Sequence, residues 1–280
     1  MTLCDGGFGR DEVLAVLYES EVRLTPRAFI RKIQDRFNLS GAKAGKILKQ
    51  LVENRDLCYQ YHFGTTYIEQ SFLKPVQVSS HFILSPVFSS QPVSFSGTIS
   101  IFLEQGISFG SGRHPTTRLC LNAIDWCGFN RELFKTIRSE ECADIGTGSG
   151  VLAIALCKSG FSHCTAYEID PVSVHEAKKN VIHNGLENRV DIKDREMKEE
   201  PGRYGLICAN LRFPTLKTLS GMISKSLING GVAILSGIRV WENPSLIDLF
   251  SHAGFDLIRQ TDEKKWSCFV WRKTDSLSAH

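Results

Sequence analysis

The chain has 280 residues, a length that predicts two domains of ordinary globular size. Lys plus Arg number 33 against 30 for Asp plus Glu, so net charge alone points to neither nucleic acid nor membrane as a partner. No run approaches the roughly 18 apolar residues of a membrane span, and MTLCDGGFGR lacks the apolar centre of a signal peptide, so a cytoplasmic place is expected.

Residues 1–72 read as helix, helix, helix, hairpin. DEVLAVLYES is apolar at helical spacing. Thr25 is placed to cap the helix that begins at Pro26, and Ser40 precedes a helix whose Ala44, Ile47, Leu48 and Leu51 share one face. LCYQYHFGTTYIEQ then reads as two short strands about Gly64. The order is that of a winged helix, here a small domain for binding substrate or partner. Between Arg23 and Arg55 the basic residues are Arg23, Arg27, Arg31, Lys32, Arg36, Lys43, Lys46, Lys49 and Arg55, against only Asp35 and Glu53. Such a patch can neutralise phosphates, or be a solvated face, or serve a protein contact. Nucleic acid is therefore a possible partner of the 23–55 region.

Residues 73–108 carry Pro75, Pro86 and Pro92, many serines and β-type runs, and are expected as an extended linker or β segment leading into the second domain. From 109 to 280 helices and strands alternate, with near-continuous apolar strands such as CADIG, CTAYEID and YGLICAN, and the end reads as a hairpin of FDLIRQTD and KKWSCFVWRK. The expected fold class is α/β, a Rossmann-like seven-stranded mixed sheet with an antiparallel edge hairpin. The nine cysteines lack CxxC spacing and several sit in apolar runs, so neither a metal site nor a disulfide framework is expected.

The chemistry concentrates in CADIGTGSGVLAIA and YEIDP. A strand, then Gly146, Gly148 and Gly150 at alternate positions, then a helix, then a strand ending at Glu168 is the order that holds a nucleotide-like ligand. Glycines permit the turn and close approach, and a carboxylate about twenty residues on can accept bonds from ribose hydroxyls. Asp144 precedes the turn. Asp170, with Pro171, fits a helix cap instead. Asn210 ends a strand, at the sheet edge where open α/β folds place their chemistry.

The D-x-G-x-G-x-G run with YEIDP resembles S-adenosylmethionine-dependent methyltransferases. Together with FGSGRHPTTRLCL (109–121), ANLRFPTL (209–216), LSGI (235–238) and the terminal WSCFVWRK, residues 77–273 resemble the PrmA family, bacterial methyltransferases that modify amino groups of large-subunit ribosomal protein eleven. The resemblance implies S-adenosyl-L-methionine as cofactor and cofactor contacts at Thr117, Gly146, Glu168 and Asn210. Fold analogy adds Asp194 toward the adenine amino group, and Phe109 as an apolar wall. The candidate cofactor residues are thus Phe109, Thr117, Asp144, Gly146, Gly148, Gly150, Glu168, Asp194 and Asn210, with Asn210 the candidate catalytic residue and no metal. His114 reads as a hydrogen-bonded side chain fixing its loop, with a general base as the alternative; Arg113 is either a carboxylate contact or solvated.

Two departures bear on the acceptor. The basic N-terminal module differs from the family's small α/β recruiting domain. Arg212 and Phe213 replace small residues after the Asn-containing motif and are expected to narrow and charge the acceptor mouth, or to offer a ring for stacking on a base. The expected function is N-methylation of a protein amino group, of lysine or an N-terminus, on a protein of ribosomal type. The alternatives are an RNA methyltransferase recruited by the basic module and a non-catalytic, cofactor-sensing DNA-binding regulator.

Overall fold

The structure, a computed structural model, describes residues 9–20, 22–62, 64–71, 73–87, 97–104, 114–130, 135, 137 and 139–274. The chain divides into two compact units, Met1–Lys74 and Pro75–His280.

In the first unit, α1 (Arg10–Tyr18), α2 (Pro26–Phe37) and α3 (Gly41–Glu53) precede the antiparallel hairpin β1 (Leu57–His62) and β2 (Thr65–Gln70). The local signals act as expected. The Thr25 side chain accepts from Ala28 N at 3.2 Å, and Ser40 accepts from Lys43 N at 3.4 Å. Phe29 and Ile33 of α2 join Ala44, Ile47, Leu48 and Leu51 of α3 in one apolar core, closed below by Leu57 and Ile68 of the hairpin. The buried Asp56 carboxylate binds Arg10 at 2.7 Å and Lys74 at 3.0 Å, so this buried acid is paired on two sides.

The second unit is built on a seven-stranded sheet of order β11-β12-β10-β9-β6-β7-β8. Strands β6 (Glu141–Ile145), β7 (Cys164–Tyr167), β8 (Val190–Lys193), β9 (Tyr204–Asn210) and β10 (Leu227–Arg239) run parallel, and β11 (Phe255–Glu263) with β12 (Trp266–Lys273) forms the antiparallel edge. Helices α4 (Pro115–Phe129), α5 (Val151–Lys158), α6 (Pro171–His183), α7 (Phe213–Ser226) and α8 (Asn243–His252) complete it. The strands bury both faces. Ala143, Ile145, Ile207, Ala209, Leu235, Phe269 and Trp271 face Leu216 and Ile223 of α7 and Leu246 and Phe250 of α8. The alternate residues, among them Cys142, Asp144, Cys208, Ile234 and Cys268, are buried on the opposite face, where α4 packs on β9, β10 and β12 and α5 on β6 and β7. All eight described cysteines are free thiols and seven are buried, where desolvation pushes them up, Cys142 among them. Among the described residues no helix is long and apolar enough to cross a membrane.

Within 73–108, expected as an extended linker or β segment, β3 (Val76–Gln77), β4 (Phe82–Pro86) and β5 (Ile99–Leu103) form a three-stranded sheet that belongs to the second unit. Phe82, Ile83, Leu84 and Ile101 are almost wholly buried, and that burial stabilises the strands. The sheet is bolted to α4: buried Asp125 accepts the His81 backbone N–H at 3.0 Å and meets His81 Nδ1 at 2.6 Å. The side chain of Asn122 also donates to Val78 O at 2.9 Å.

A glycine fixes the exit of β10. Gly237 has φ of +88°, at the bulge between Ser236 and Ile238, and a Cβ there would lie 2.3 Å from the carbonyl oxygen of Leu211. Gly237→Ala is expected to cost about 1–3 kcal/mol in strain and clash, read as a lowered unfolding midpoint in urea. A midpoint equal to that of the parent chain would show that the Leu211 backbone yields freely.

Candidate active site

The site is laid down by the carboxyl ends of the parallel strands. The chain leaves β6 at Ile145 and turns at once. Gly146 N and Thr147 N both donate to Tyr167 O of β7, at 2.9 and 3.0 Å, and Gly150 N closes the turn on Thr147 O at 3.0 Å. Gly146, Gly148 and Gly150 have φ of +71°, +54° and +81°, so the alternate glycines are a backbone requirement. Space is limiting too: a Cβ on Gly146 would lie 2.6 Å from Leu211 Cδ2, and one on Gly150 3.3 Å from Ala177 of α6. The turn then opens α5, whose N-terminal N–H groups and dipole favour negative charge.

Glu168 is the partner of this turn. Its Oε2 accepts Gly148 N at 2.9 Å, and its Oε1 accepts Ile169 N at 2.8 Å and Asp170 N at 3.0 Å. One half-buried carboxylate therefore ties the turn after β6 to the end of β7. The Glu168 backbone N–H donates to Lys193 O at 3.0 Å, which sets Asp194, exposed at the exit of β8, beside it. Asp170 is the α6 cap: Ser173 donates both its N–H, at 3.0 Å, and its hydroxyl, at 2.7 Å, and holds the carboxyl below its usual range.

Asp144 lies under the turn. It is fully buried, and its Oδ2 accepts the Thr147 hydroxyl at 2.6 Å, while Oδ1 has no hydrogen-bond partner among the described residues. Burial pushes its carboxyl up to about 7; the Thr147 bond opposes the rise and the Glu168 charge adds to it. Asp144, one of the residues expected at the cofactor, supports the turn through Thr147.

Asn210 ends β9 opposite Ser236 of β10, one strand from the glycine turn. Its Oδ1 is enclosed and has no partner among the described residues. Thr117, in the first turn of α4, is wholly buried with its hydroxyl in the same condition. An unsatisfied buried polar atom costs about 1–3 kcal/mol, so each of these oxygens is available to a partner. His114 caps α4: its Nδ1 accepts Thr116 N at 3.3 Å, and its ring stands edge-on to Trp266 at 4.8 Å between centroids. Trp266 is in turn covered by Arg239, its guanidinium carbon 3.6 Å from the ring centroid.

Phe109 and Arg113 lie outside the described residues. Arg212 is exposed just before α7, and the Phe213 ring is half-buried and packs against the apolar core. Leu211, which fills the space at Gly146 and Gly237, escaped the sequence reading although LSGI already marked Gly237. Among the described residues no group of His, Cys, Asp and Glu could hold a metal ion.

Residues 66–274 match the family described as ribosomal protein L11 methyltransferase (PrmA). The chain belongs to the ribosomal protein L11 methyltransferase (PrmA) family. A family member from Geobacter sulfurreducens is 33% identical over 201 residues, 71% of this chain and 62% of its own. One from Geotalea uraniireducens is 31% identical over 207 residues, 72% and 65% of the two chains. The chain thus spans less than two thirds of the length of these relatives. A solved ribosomal protein L11 methylase from Lactobacillus delbrueckii subsp. bulgaricus superposes with a TM-score of 0.63 at 24% identity, over 72% of this chain and all of its own, which establishes the α/β methyltransferase fold with its mixed seven-stranded sheet. The family match begins within β2, so α1 to α3 stand outside it.

The raised Asp144 carboxyl has a sign. A buried acid binds its proton more tightly in the folded than in the unfolded chain, so its contribution to stability is full below about pH 4 and is lost as pH rises through about 7. Relative to Asp144→Asn, the parent chain is expected to lose stability across pH 4–7 with a slope approaching about 1.4 kcal/mol per pH unit. Urea unfolding of both chains across that range checks it; parallel stability curves would show that Asp144 stays ionised.

Proposed function

We propose that the chain is an S-adenosylmethionine-dependent N-methyltransferase whose acceptor is an amino group of a ribosomal protein, in the manner its family name describes. The observation that carries the reading is the convergence at one sheet edge of the glycine turn, the Glu168 carboxylate and the unpartnered Asn210 oxygen. The bound cofactor supplies an electrophilic methyl group.

The chain's own residues supply position. Gly146, Gly148 and Gly150 let the ligand approach the backbone, and Glu168 accepts the ribose hydroxyls, exchanging one or more of its three backbone donors for them. Asp194 takes the adenine amino group beside it, and Thr117 offers its hydroxyl from the start of α4. Asn210 Oδ1 accepts an N–H of the acceptor amine and aims the nitrogen lone pair for in-line displacement, a contribution of orientation. A lysine acceptor must first shed a proton, its ordinary pKa being about 10.4, and the enclosed sheet edge disfavours the charged form by desolvation.

We assign the unit Met1–Lys74 a winged-helix arrangement, from its order of three helices and a hairpin, and the task of recruiting the acceptor. A second reading, in which RNA is the acceptor, draws on one observation. Arg27, Arg31, Lys32, Lys43, Lys46 and Arg55 make no ion pair with a described residue, whereas Arg10, Arg23, Arg36, Lys49 and Lys74 do. Both acceptors place the protein in the cytoplasm.

With ribosomal subunits and methyl-labelled cofactor, label is expected in protein, and Asn210→Ala is expected to lower kcat by about 100-fold with a smaller change in cofactor KM, since it removes orientation at the reacting atom. Label confined to RNA overturns the protein acceptor; an Asn210→Ala enzyme with the parent kcat removes Asn210 from the chemistry.

A further inference from the structure

Among the described residues strand β5 is the outer strand of its sheet and pairs with β4, so its other edge carries N–H and C=O groups that need partners. Helix α6 provides them with side chains. Asn184, just past the helix, accepts Phe102 N at 3.0 Å and donates to Phe102 O at 2.7 Å, the exchange a neighbouring strand would make. One turn earlier Asn180 accepts Glu104 N at 2.8 Å. The Glu104 carboxylate then reaches back to Lys179 at 3.3 Å and His183 at 2.8 Å. Residues at i and i+4 fall on one helix face, and here that face stands in for a strand.

Asn180 does a second thing that Asn184 does not. Its Nδ2 donates to Ser149 O at 2.8 Å, inside the glycine turn, and the side chain is only 2% exposed. The Ser149–Gly150 peptide is thereby held from outside the turn, with its N–H on Thr147 O and its carbonyl on Asn180. The fit is close, because Gly150 already rests against Ala177 of the same helix. One amide thus fixes at once the edge of β5 and the orientation of the last peptide before α5.

We infer that Asn180 is a positioning residue for cofactor binding, setting the glycine turn against α6 and β5 so that the Gly148 N–H and Glu168 stand in binding register. The inference rests on the cofactor reading proposed above. Asn184 serves as its control, because it secures β5 through two bonds without touching the turn.

The experiment uses the full chain and its Asn180→Ala, Asn180→Asp and Asn184→Ala variants, each measured twice: thermal midpoint, and calorimetric affinity for S-adenosylhomocysteine. Asn180→Asp retains the acceptor for Glu104 N and sets an acceptor in place of the donor against Ser149 O, so it perturbs the turn while keeping the bond to β5. Asn180→Ala and Asn184→Ala are expected to lower the midpoint comparably. Affinity is expected to fall roughly tenfold or more in both Asn180 variants and by less than about twofold in Asn184→Ala. In turnover the loss is expected in cofactor KM, with kcat at saturation nearly kept. Asn180 variants that bind as tightly as the parent, or an Asn184→Ala that loses as much as they do, would overturn the inference while leaving the cofactor reading intact. A well-folded parent chain that does not bind would overturn the cofactor reading and the inference with it.

Discussion

The carboxylate of Glu168, held by the N–H groups of Gly148, Ile169 and Asp170, laces the turn after β6 to the end of β7. Much else follows from that lacing. Tyr167 O takes two N–H groups of the turn, and Glu168 N takes Lys193 O, so three parallel strands end in one fixed arrangement. A carboxylate bound by backbone donors is satisfied without a counter-ion, and bonds to a charged acceptor are stronger than neutral ones. It can also exchange backbone donors for a ligand's hydroxyls at little net cost, because one set of hydrogen bonds replaces another.

Around this lacing the fold spends stability on readiness. Asp144 is buried with one oxygen unpartnered, Thr117 and Asn210 enclose polar atoms without partners among the described residues, and the turn glycines hold left-handed backbone. Each is a local cost that a well-packed apolar interior would avoid. Such costs persist where surrounding packing over-determines them, and here two buried faces of apolar strand residues do so. Stability and site are therefore coupled through specific contacts, Leu211 against Gly146 and Ala177 against Gly150 among them.

Much of this was legible in the residues. Thr25, Ser40 and Asp170 mark helix starts because a capping oxygen is a local device, readable without knowledge of the fold. The glycine turn and Glu168 were legible because spacing along a strand-turn-helix-strand unit fixes their meeting. At 73–108 the β-type runs were legible and their pairing was not, since β4 and β5 pair across an intervening segment and their register depends on α4 and α6. Asn180 and Asn184 were hidden, because nothing local in HEAKKNVIHNG shows the open strand edge that they meet. The packing of Phe213 was hidden as well, because only the core of α7 and α8 shows what its ring rests on. Asp144 was legible as part of the motif, but its complete burial and its bond to Thr147 were not.

The central claim is that the Glu168 carboxylate grips the ribose of an S-adenosyl cofactor. Calorimetric titration of S-adenosylhomocysteine into the parent chain, Glu168→Asp and Glu168→Ala tests it most directly. The account predicts tight binding by the parent, a weakening of about 1–3 kcal/mol in the alanine variant and partial recovery in the aspartate variant, which keeps the carboxylate on a shorter arm. Equal affinity across the three chains would contradict it.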